Sequence, residues 1–492
     1  MTTFFRRPLL LVPVLVLVGA VLLPRATPPS GAVPAAAGPA PAAAAAVPST
    51  SAPNIVMILT DDQRYDELSY LPNVQKLLVA DGVTFTNGFV SNPDCCPSRA
   101  SILTGAYSHT TDVYRNHTPH GGFKTFRKSG DDTSTVATWL QGAGYRTALV
   151  GKYLNGYKFG NAAYVPPGWS RWVGWLDSGD PRAKPGGYYK YALSVDGNPA
   201  FYGTSAAEYS TDVLSQYATD FITSTPADQP LFLYYTPRAP HLPDIPPPRY
   251  LNACPNVTMP EGPSFNESDV SDKPAYVSSV PPLTDAQIAG LQEQWKNDCR
   301  SLLAVDDSVG AIVNALQTTG RLSNTMVVFA SDNGQFFGEH RRDGKIAPYE
   351  EAIRIPIVVR YDPLTGLHPA TSDRMMVNID YAPTWAALAG VSAPGAEGMS
   401  FLPLLTNPEG TWRTSFLQEY WGKSAIPPYC GARTADWKYI KYATGEEELY
   451  DLTADPYELQ NQAANPAYAD QKATMYALTK TLCKPHPPGF RP

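Results

Sequence analysis

The chain has 492 residues, 45 acidic against 38 basic side chains, and a formal net charge of −7. Its length is enough for one large domain with a core of its own and a smaller one. The acidic balance argues against nucleic acid as a partner, because binding a phosphate backbone needs a surplus of basic residues. An anionic small molecule stays open, since a few local cations decide how such a ligand binds.

The N-terminus is typical of an export signal. Arg6 and Arg7 form a basic start, residues 8–23 are almost wholly apolar, and alanines within 35–46 offer small-residue cleavage sites. An uncleaved membrane anchor is the competing interpretation, but the apolar run is near the lower limit for a bilayer span and contains Pro13. We therefore expect an exported protein that contacts a membrane only if this segment is not cleaved.

Beyond the N-terminus, predicted strands alternate with predicted helices. The first strand, 54–60, is apolar throughout, which is typical of a strand buried on both faces. The alternation predicts an α/β fold with a mostly parallel sheet and helices on both of its faces. We predict further strands over 83–90, 145–150, 231–236 and 325–330, and helices over 74–80, 134–141, 211–222 and 284–316.

After about residue 390 the pattern changes. Segments 437–442 and 448–452 predict two strands around a turn, and a helix over 468–482 follows. They indicate a smaller C-terminal subdomain with its own antiparallel sheet. The proline-rich segment 239–282 is predicted to be an ordered loop over the functional site. The predicted divisions are an export signal and Ala/Pro-rich linker over 1–51, a catalytic domain over 52–395 and a C-terminal subdomain over 396–492.

The six cysteines fit an oxidising compartment, where disulfides persist. Their neighbourhoods make Cys254 with Cys299, and Cys430 with Cys483, plausible disulfides, although spacing alone does not determine the pairing. The other two cysteines are adjacent in the chain and belong to the next motif.

That motif is the string CCPSRASILTG at 95–105. Proline suits the first turn of a helix, so we expect a helix to begin here, with an N-terminus that favours negative charge. Cys95 then lies where an activated nucleophile and an anionic substrate can meet. From the cysteines alone, a structural disulfide is an equally good interpretation.

Oxygen-rich pairs follow two of the predicted strands. Asp61 and Asp62 follow the first strand, and Asp332 and Asn333 follow the strand over 325–330. Each pair taken singly has an ordinary explanation as a helix cap or a turn. Because the carboxyl ends of parallel strands meet at one edge of a sheet, the two pairs can converge there. Three carboxylates and an amide oxygen suit calcium, and magnesium less well.

Several basic side chains lie near these motifs. Arg99 belongs to the cysteine string, Lys152 follows the strand that ends at 150, and His241 follows the strand that ends at 236. Lys345 comes shortly after the Asp332 pair. A lone lysine or histidine is usually a surface charge or a structural residue, but their shared position at strand ends favours an anion site.

The string at 95–105 resembles the signature of the type I sulfatases, C-x-P-S-R-x-x-x-L-T-G, with every fixed position present. In that family a formylglycine-generating enzyme oxidises the first cysteine to formylglycine (3-oxoalanine), whose aldehyde hydrate is the nucleophile. The resemblance implies that Cys95 is this residue, that Cys96 remains a buried free thiol, and that the fold is alkaline-phosphatase-like.

The same resemblance implies the other residues of the site. The family ligates one divalent cation through an early Asp-Asp pair, the formylglycine and an Asp-Asn pair in an S-D-N-G string. The metal ligands implied here are Asp61, Asp62, Cys95, Asp332 and Asn333. The family's cations in G-K, P-H and G-K-x-x-x-Y-E strings match this chain as well. The catalytic and substrate-binding residues implied are Arg99, Lys152, His241 and Lys345, together with the nucleophile at Cys95.

One position departs from the family pattern. Many members carry a histidine two residues after the first lysine, where this chain has Leu154 followed by Asn155. The string GKYLN at 151–155 resembles instead the N-acetylglucosamine-6-sulfatase branch. The base that regenerates the aldehyde is therefore left open among Asn155, His109 and His340.

Resemblance to the family extends over about 54–464 and implies a calcium-dependent, secreted sulfatase. In the implied mechanism His241, with Lys345, protonates the leaving alcohol. Aryl sulfates or sulfated glycans are the implied substrates, with 6-sulfated N-acetylglucosamine suggested by the branch. Three alternatives stay open: a phosphate mono- or diester hydrolase of the same superfamily, a non-catalytic protein that binds sulfated glycans, and an inactive product in a host that lacks the cysteine-oxidising enzyme.

Overall fold

The computed structural model describes residues 52–177, 182, 187–422 and 425–490. The predicted export signal and linker over 1–51 lie outside this part of the chain. Among the described residues, no helix combines the length and the apolar character that crossing a bilayer requires.

The main element is a ten-stranded sheet with the order β13-β2-β12-β9-β1-β8-β4-β5-β6-β7. Its central strands, from β9 to β5, are parallel, and β12, β6 and β7 add antiparallel pairs on either side. In chain order, the strands β1 to β18 are Asn54–Thr60, Val83–Phe85, Gly88–Phe89, Arg146–Gly151, Arg171–Trp175, Ala192–Val195, Asn198–Phe201, Leu231–Thr236, Thr325–Ser331, Phe336–Phe337, Asp343–Gly344, Ile357–Arg360, Ala370–Ser372, Met376–Val377, Ser415–Tyr420, Tyr429–Thr434, Trp437–Tyr442 and Glu447–Asp451.

The helices cover both faces of this sheet. In β1, alternate side chains enter two separate hydrophobic clusters, with Ile55 and Met57 in one and Val56 and Ile58 in the other. This is why the strand is apolar throughout rather than alternating. In chain order, the helices α1 to α13 are Pro72–Val74, Cys95–Thr104, Ser108–Thr111, Gly122–Ser129, Val136–Gly142, Ser210–Ser224, Ala275–Ser278, Asp285–Thr318, Glu350–Ile353, Asp362–Thr365, Tyr381–Leu388, Leu402–Thr406 and Ala469–Leu482.

The C-terminal part has its own antiparallel sheet of four strands, β15 to β18, as the sequence predicts. Side chains of α13 pack against this sheet in a small hydrophobic cluster that includes Tyr439 and Met475. The mostly parallel large sheet with flanking helices is confirmed as well. The boundary near residue 395 stays a prediction.

Both predicted disulfides are present, Cys254 with Cys299 and Cys430 with Cys483. Cys95 and Cys96 are buried free cysteines, so the disulfide interpretation of the adjacent pair is wrong. Free cysteines behave as small hydrophobic groups unless their surroundings activate them.

Several predicted boundaries differ from the structure. The predicted helix over 74–80 starts at Pro72 and continues as a π-helical turn over Gln75–Val79. The predicted strand over 83–90 divides into β2 and β3, which pair with different partners. The tertiary partners, rather than local propensity, decide these breaks.

Candidate active site

The predicted convergence of strand ends occurs in the structure. Strand β1 lies between β8 and β9 in parallel register, with Thr60 opposite Ser331. Asp61 and Asp332, which follow these two positions, therefore lie at the same carboxyl edge of the sheet. The backbone N–H of Asp62 donates to Asp332 Oδ1 at 3.1 Å, which joins the two pairs. Asp62 adopts a left-handed conformation with a φ of 73°.

Helix α2 begins at Cys95, as the sequence string predicts. Asp94 is its N-cap, and one carboxylate oxygen accepts the N–H of Cys95 at 3.1 Å. Pro97 falls in the first turn, where a missing N–H costs nothing. Gly105 ends the helix in the left-handed conformation, with a φ of 74°. All ten residues of the helix are buried, so Cys95 is held at a fixed place against the sheet edge.

The predicted metal ligands lie together. One ligand atom each from Asp61, Asp62, Cys95 and Asp332 lies within 4.8 Å of the other three. Cys95 Sγ is 3.4 Å from Asp61 Oδ1 and 3.9 Å from Asp62 Oδ1. Asn333 joins the group, because its side-chain amide donates to Asp62 Oδ1 at 2.7 Å. Carboxylate and amide oxygens in one buried group can hold a hard divalent cation.

Two lysines enter the same centre. Lys152 Nζ lies 2.6 Å and 2.9 Å from the two carboxylate oxygens of Asp61. Lys345 Nζ lies 2.8 Å from Cys95 Sγ, and it also contacts Asp62. Both lysines are thus within reach of a group bound at Cys95.

Arg99 is as buried as Lys152, with 1% of its surface exposed, but its contacts differ from those of the two lysines. Its Nε donates to Asp332 Oδ2 at 2.7 Å, and one terminal nitrogen donates to the carbonyl of Lys152 at 2.9 Å and to the Thr236 hydroxyl. The other terminal nitrogen lies 3.8 Å from Asp61 Oδ2 and has no hydrogen-bond partner among the residues that the structure describes. Arg99 therefore positions the Asp332 carboxylate through an ion pair that is buried in the protein.

His241 is the most accessible of the four predicted cations. Its Nε2 lies 3.8 Å from Asp62 Oδ2, and its Nδ1 lies 2.7 Å from the carbonyl of Leu242 and 3.1 Å from the Arg238 guanidinium. Removal from water lowers the pKa of His241 to about 4, and the attraction of the two aspartates only partly offsets it. Without a bound anion, the imidazole is therefore neutral at pH 7.

The charges of the centre act strongly on one another. Burial opposes ionisation of Asp61, yet Lys152 and the other cations outweigh it and hold its pKa well below the ordinary value. Burial and the charge of Asp61 raise the pKa of Asp332 to about 6. Burial also raises the pKa of the Cys95 thiol well above its ordinary value, despite Lys152 and Lys345 nearby. At neutral pH the unmodified Cys95 is a thiol rather than a reactive thiolate.

Two of the candidate bases have partners away from Cys95. His109 Nδ1 lies 3.1 Å from both carboxylate oxygens of Glu419, and its Nε2 lies 3.3 Å from Glu397. His340 is fully buried, with Nδ1 2.7 Å from Glu267. Asn155 is the candidate that lies beside the cysteine pair, because its backbone hydrogen-bonds the Cys96 thiol.

Replacing His109 by glutamine is expected to reduce the stability of the protein most near pH 6. Burial opposes its charge, but Glu397 and Glu419 outweigh this and raise its pKa to about 10. A raised pKa in the folded state contributes stability that is complete below the unfolded pKa of about 6.5 and is lost as pH rises through 10. Urea titrations should give a deficit in unfolding free energy of about 2 kcal/mol near pH 6, disappearing above pH 10. A deficit that does not change with pH would contradict this assignment.

Sequence reasoning missed three residues that shape the site. Asp94 directly precedes the cysteine string, so its capping role was visible as an N-cap residue type. Thr236 and Arg238 contact Arg99 and His241, but only their position after a strand could have indicated them. Their roles depend on contacts with distant parts of the chain.

Comparisons with known proteins agree with this geometry. A family model described as "Sulfatase" matches residues 53–391, and one described as "N-sulphoglucosamine sulphohydrolase, C-terminal" matches 338–484. An N-acetylglucosamine-6-sulfatase of Capra hircus is 33% identical over 459 residues, which are 84% of this chain and 80% of the relative. An arylsulfatase of Volvox carteri is 33% identical over 500 residues, 88% of this chain and 75% of the relative.

A solved structure confirms the fold. In it, another protein is bound to its own substrate, D-glucosamine-2-N,6-O-disulfate. That structure superposes on this chain with a TM-score of 0.73 at 25% sequence identity, and the match covers 88% of this chain and 97% of the other. The predicted alkaline-phosphatase-like fold and the resemblance to N-acetylglucosamine-6-sulfatases and arylsulfatases are confirmed, and the matches support sulfuric ester hydrolase activity over the non-catalytic alternative. With the signature string, the sheet-edge centre and a family model over most of its length in agreement, this chain belongs to the sulfatase family.

Proposed function

We propose that the protein hydrolyses sulfate esters of glycans or aryl alcohols at the centre around Cys95, using a formylglycine at that position and a bound calcium ion. The observation that supports this most directly is the convergence of three carboxylates on Cys95. Two further groups, Lys152 and Lys345, bring positive charge to the same atoms.

The donor set fits a hard divalent cation. Asp61, Asp62, Asp332, Asn333 and the oxidised Cys95 are the residues proposed to hold it. When bound, the cation supplies Lewis-acid polarisation of a sulfate oxygen. Calcium suits an all-oxygen set better than magnesium, which demands stricter geometry and retains its waters.

The charge balance of the centre also favours an anionic substrate. The carboxylates of Asp61, Asp62 and Asp332 are matched by the cations of Arg99, Lys152 and Lys345. A divalent cation therefore makes the centre net positive, which attracts a sulfate ester.

The raised pKa of Cys95 favours a modified side chain as the nucleophile. A buried thiol that stays protonated at neutral pH is a weak nucleophile. Oxidation by a formylglycine-generating enzyme supplies a hydrated aldehyde, whose hydroxyl groups do not depend on thiolate formation. Lys345 lies next to this position and can orient such a hydroxyl group by hydrogen bonding.

Lys152 and Lys345 hold the transferring group by charge, and Arg99 adds positive potential while fixing Asp332. His241 and Lys345 are the proposed proton donors to the leaving alcohol. An arriving anion raises the pKa of His241, because the negative charge stabilises the imidazolium. The neighbouring carboxylates outweigh the burial of Lys345 and hold its pKa well above the ordinary value. Its amino group is therefore protonated at neutral pH, before the substrate binds.

Sulfated glycans are the proposed natural substrates, with 6-sulfated N-acetylglucosamine as the first candidate. Two N-acetylglucosamine-6-sulfatases have sequence identities of 33% and 32% to this chain over 84% of its length, which supports this choice. The GKYLN string at 151–155 supports the same branch.

The test is a comparison of an aryl sulfate with the aryl phosphate that has the same leaving group, using protein whose Cys95 peptide carries the mass of the aldehyde. We expect kcat/KM to favour the sulfate by at least about 100-fold, because the chain belongs to the sulfatase family and the relatives it matches are named as sulfatases. A preference for the phosphate would support instead a phosphate ester hydrolase of the same superfamily. Release of sulfate from 6-sulfated N-acetylglucosamine then tests the glycan assignment.

We also propose that the protein is exported. The two disulfides support an oxidising compartment, because such bonds are rare where thiols are kept reduced. The basic and apolar N-terminal segment supports a cleaved signal. The test is N-terminal sequencing of the secreted protein. We expect its first residue to lie between positions 35 and 52.

A further inference from the structure

A cavity of about 690 Å³ lies beside the N-terminus of α2, in the size range of sites for small molecules. Three residues of its wall contact Cys96, the neighbour of the proposed nucleophile. Asn116 Oδ1 accepts the Cys96 N–H at 2.8 Å, and the backbones of Gly122 and Asn155 hydrogen-bond the Cys96 thiol. The cavity therefore begins one residue away from the proposed reaction centre.

The cavity is strongly basic. Helix α4 buries Phe123 and Phe126 on one face and presents Lys124, Arg127 and Lys128 on the other. Because these three line the cavity, α4 supplies most of its charge. Lys158, from the segment that follows GKYLN, adds a fourth cation to the lining.

Most of these cations have no ion-pair partner in the described part of the chain. Among the described residues, no carboxylate forms an ion pair with Lys124, Lys128 or Lys158, and Arg127 stacks over the ring of Tyr164 at 3.7 Å. In the described part of the chain, carboxylates contact only uncharged groups of the wall: Asp177 accepts the Gly156 N–H at 2.6 Å, and Asp94 accepts the backbone N–H of Asn116 at 3.1 Å and its side-chain amide. In an acidic chain, four cations that converge on one cavity, with no carboxylate paired to them in the described part of the chain, indicate an anionic ligand.

We propose that this cavity binds a second anionic group of the glycan, a sulfate or carboxylate on a sugar next to the one that loses its sulfate. This rests on the proposed sulfatase function and extends it to the substrate class, a polyanionic oligosaccharide. Asn155 lines the cavity, and its side-chain Oδ1 is buried without a hydrogen-bond donor within the described chain. A sugar hydroxyl that reaches this oxygen on binding supplies the donor, which an inorganic anion does not.

The test is a variant with Lys124→Gln, Lys128→Gln and Lys158→Gln, none of which lies in the proposed reaction centre. On a sulfated oligosaccharide we expect KM to rise about 10-fold with kcat nearly unchanged, because binding remote from the reacting bond is lost. On a small aryl sulfate, which does not reach the cavity, both constants should stay within about 2-fold. Lys76→Gln, Lys480→Gln and Lys484→Gln, at exposed lysines away from the cavity, form a control with the same change of net charge.

Two altered oligosaccharides distinguish the sources of the anion. One oligosaccharide lacks the sulfates on the neighbouring sugars. If this change raises KM for the wild-type protein but not for the cavity variant, the second anionic group is a sulfate. In the other oligosaccharide the carboxylates of the neighbouring sugars are reduced to alcohols, and the same pattern of KM values would show that the second group is a carboxylate. Equal effects in both proteins for both oligosaccharides would overturn the proposal.

A calorimetric measurement of oligosaccharide affinity tests the cavity independently of the proposed sulfatase activity, because binding is measured without turnover. Loss of affinity in the cavity variant, with affinity retained in the control variant, supports the cavity even if no sulfate is released. Equal affinity of both variants and the wild type would overturn it. A cavity variant that also loses aryl sulfate turnover and its folded circular dichroism is replaced by the double change Lys124→Gln and Lys158→Gln, for which a rise in KM of about 4-fold on the oligosaccharide is required.

Discussion

Replacing Cys95 by alanine is expected to lower sulfate release by at least about 1,000-fold, because the proposed nucleophile is removed. The position is determined by α2, whose N-cap Asp94 holds Cys95 against the carboxyl edge of the sheet. Serine is expected to fail in a different way. A serine sulfate ester has no second hydroxyl with which to expel sulfate, so Cys95→Ser should release alcohol once per molecule and then stop.

The matched control is Cys96→Ala, which changes the adjacent buried thiol. Its sulfur contacts backbone at Gly122 and Asn155 rather than the carboxylates. We expect a loss of stability of about 1–2 kcal/mol and kcat within about 3-fold of wild type. Sulfate release should be measured with the mass of the Cys95 peptide in the same preparation. Equal activity of Cys95→Ala and wild type would refute the proposed mechanism.

Removal of divalent cations is expected to inactivate the protein, and calcium should restore activity more completely than magnesium. Three carboxylates meet at this point, and a cation that binds only the folded protein also stabilises it. At a calcium concentration 100 times the Kd, the free energy of unfolding should rise by about 2.7 kcal/mol. Thermal unfolding with and without calcium measures this independently of catalysis.

Asp332→Asn tests whether this effect belongs to the proposed site. The change retains the size of the side chain and removes one ligand charge, so we expect the calcium-dependent shift in melting temperature to disappear together with the activity. Asp307→Asn is the control, because Asp307 binds Arg249 and Tyr250 on the surface of α8. Full activity after thorough chelation, or a calcium shift that survives Asp332→Asn, would contradict the metal site.

The sequence predicted most of the site because its signals are local. The cysteine string begins a helix, and both oxygen-rich pairs follow strands directly. Parallel pairing of β1 with β9 then brings Asp61 and Asp332 together without any further information. Strands such as β12 and β13 were not predicted, since their short segments are stabilised by pairing with β9 and β2.

The sequence by itself determined the family, and it indicated the residues proposed for the nucleophile and the metal site, because each signal lies within a few residues of chain. Only the tertiary structure decided what each cation contacts. Arg99 holds Asp332 across 233 residues, and His340 binds Glu267 rather than the centre. The cavity beside Cys96 likewise exists only where α4 and the segment after Lys152 meet. Such contacts join distant parts of the chain, and packing rather than local sequence selects them.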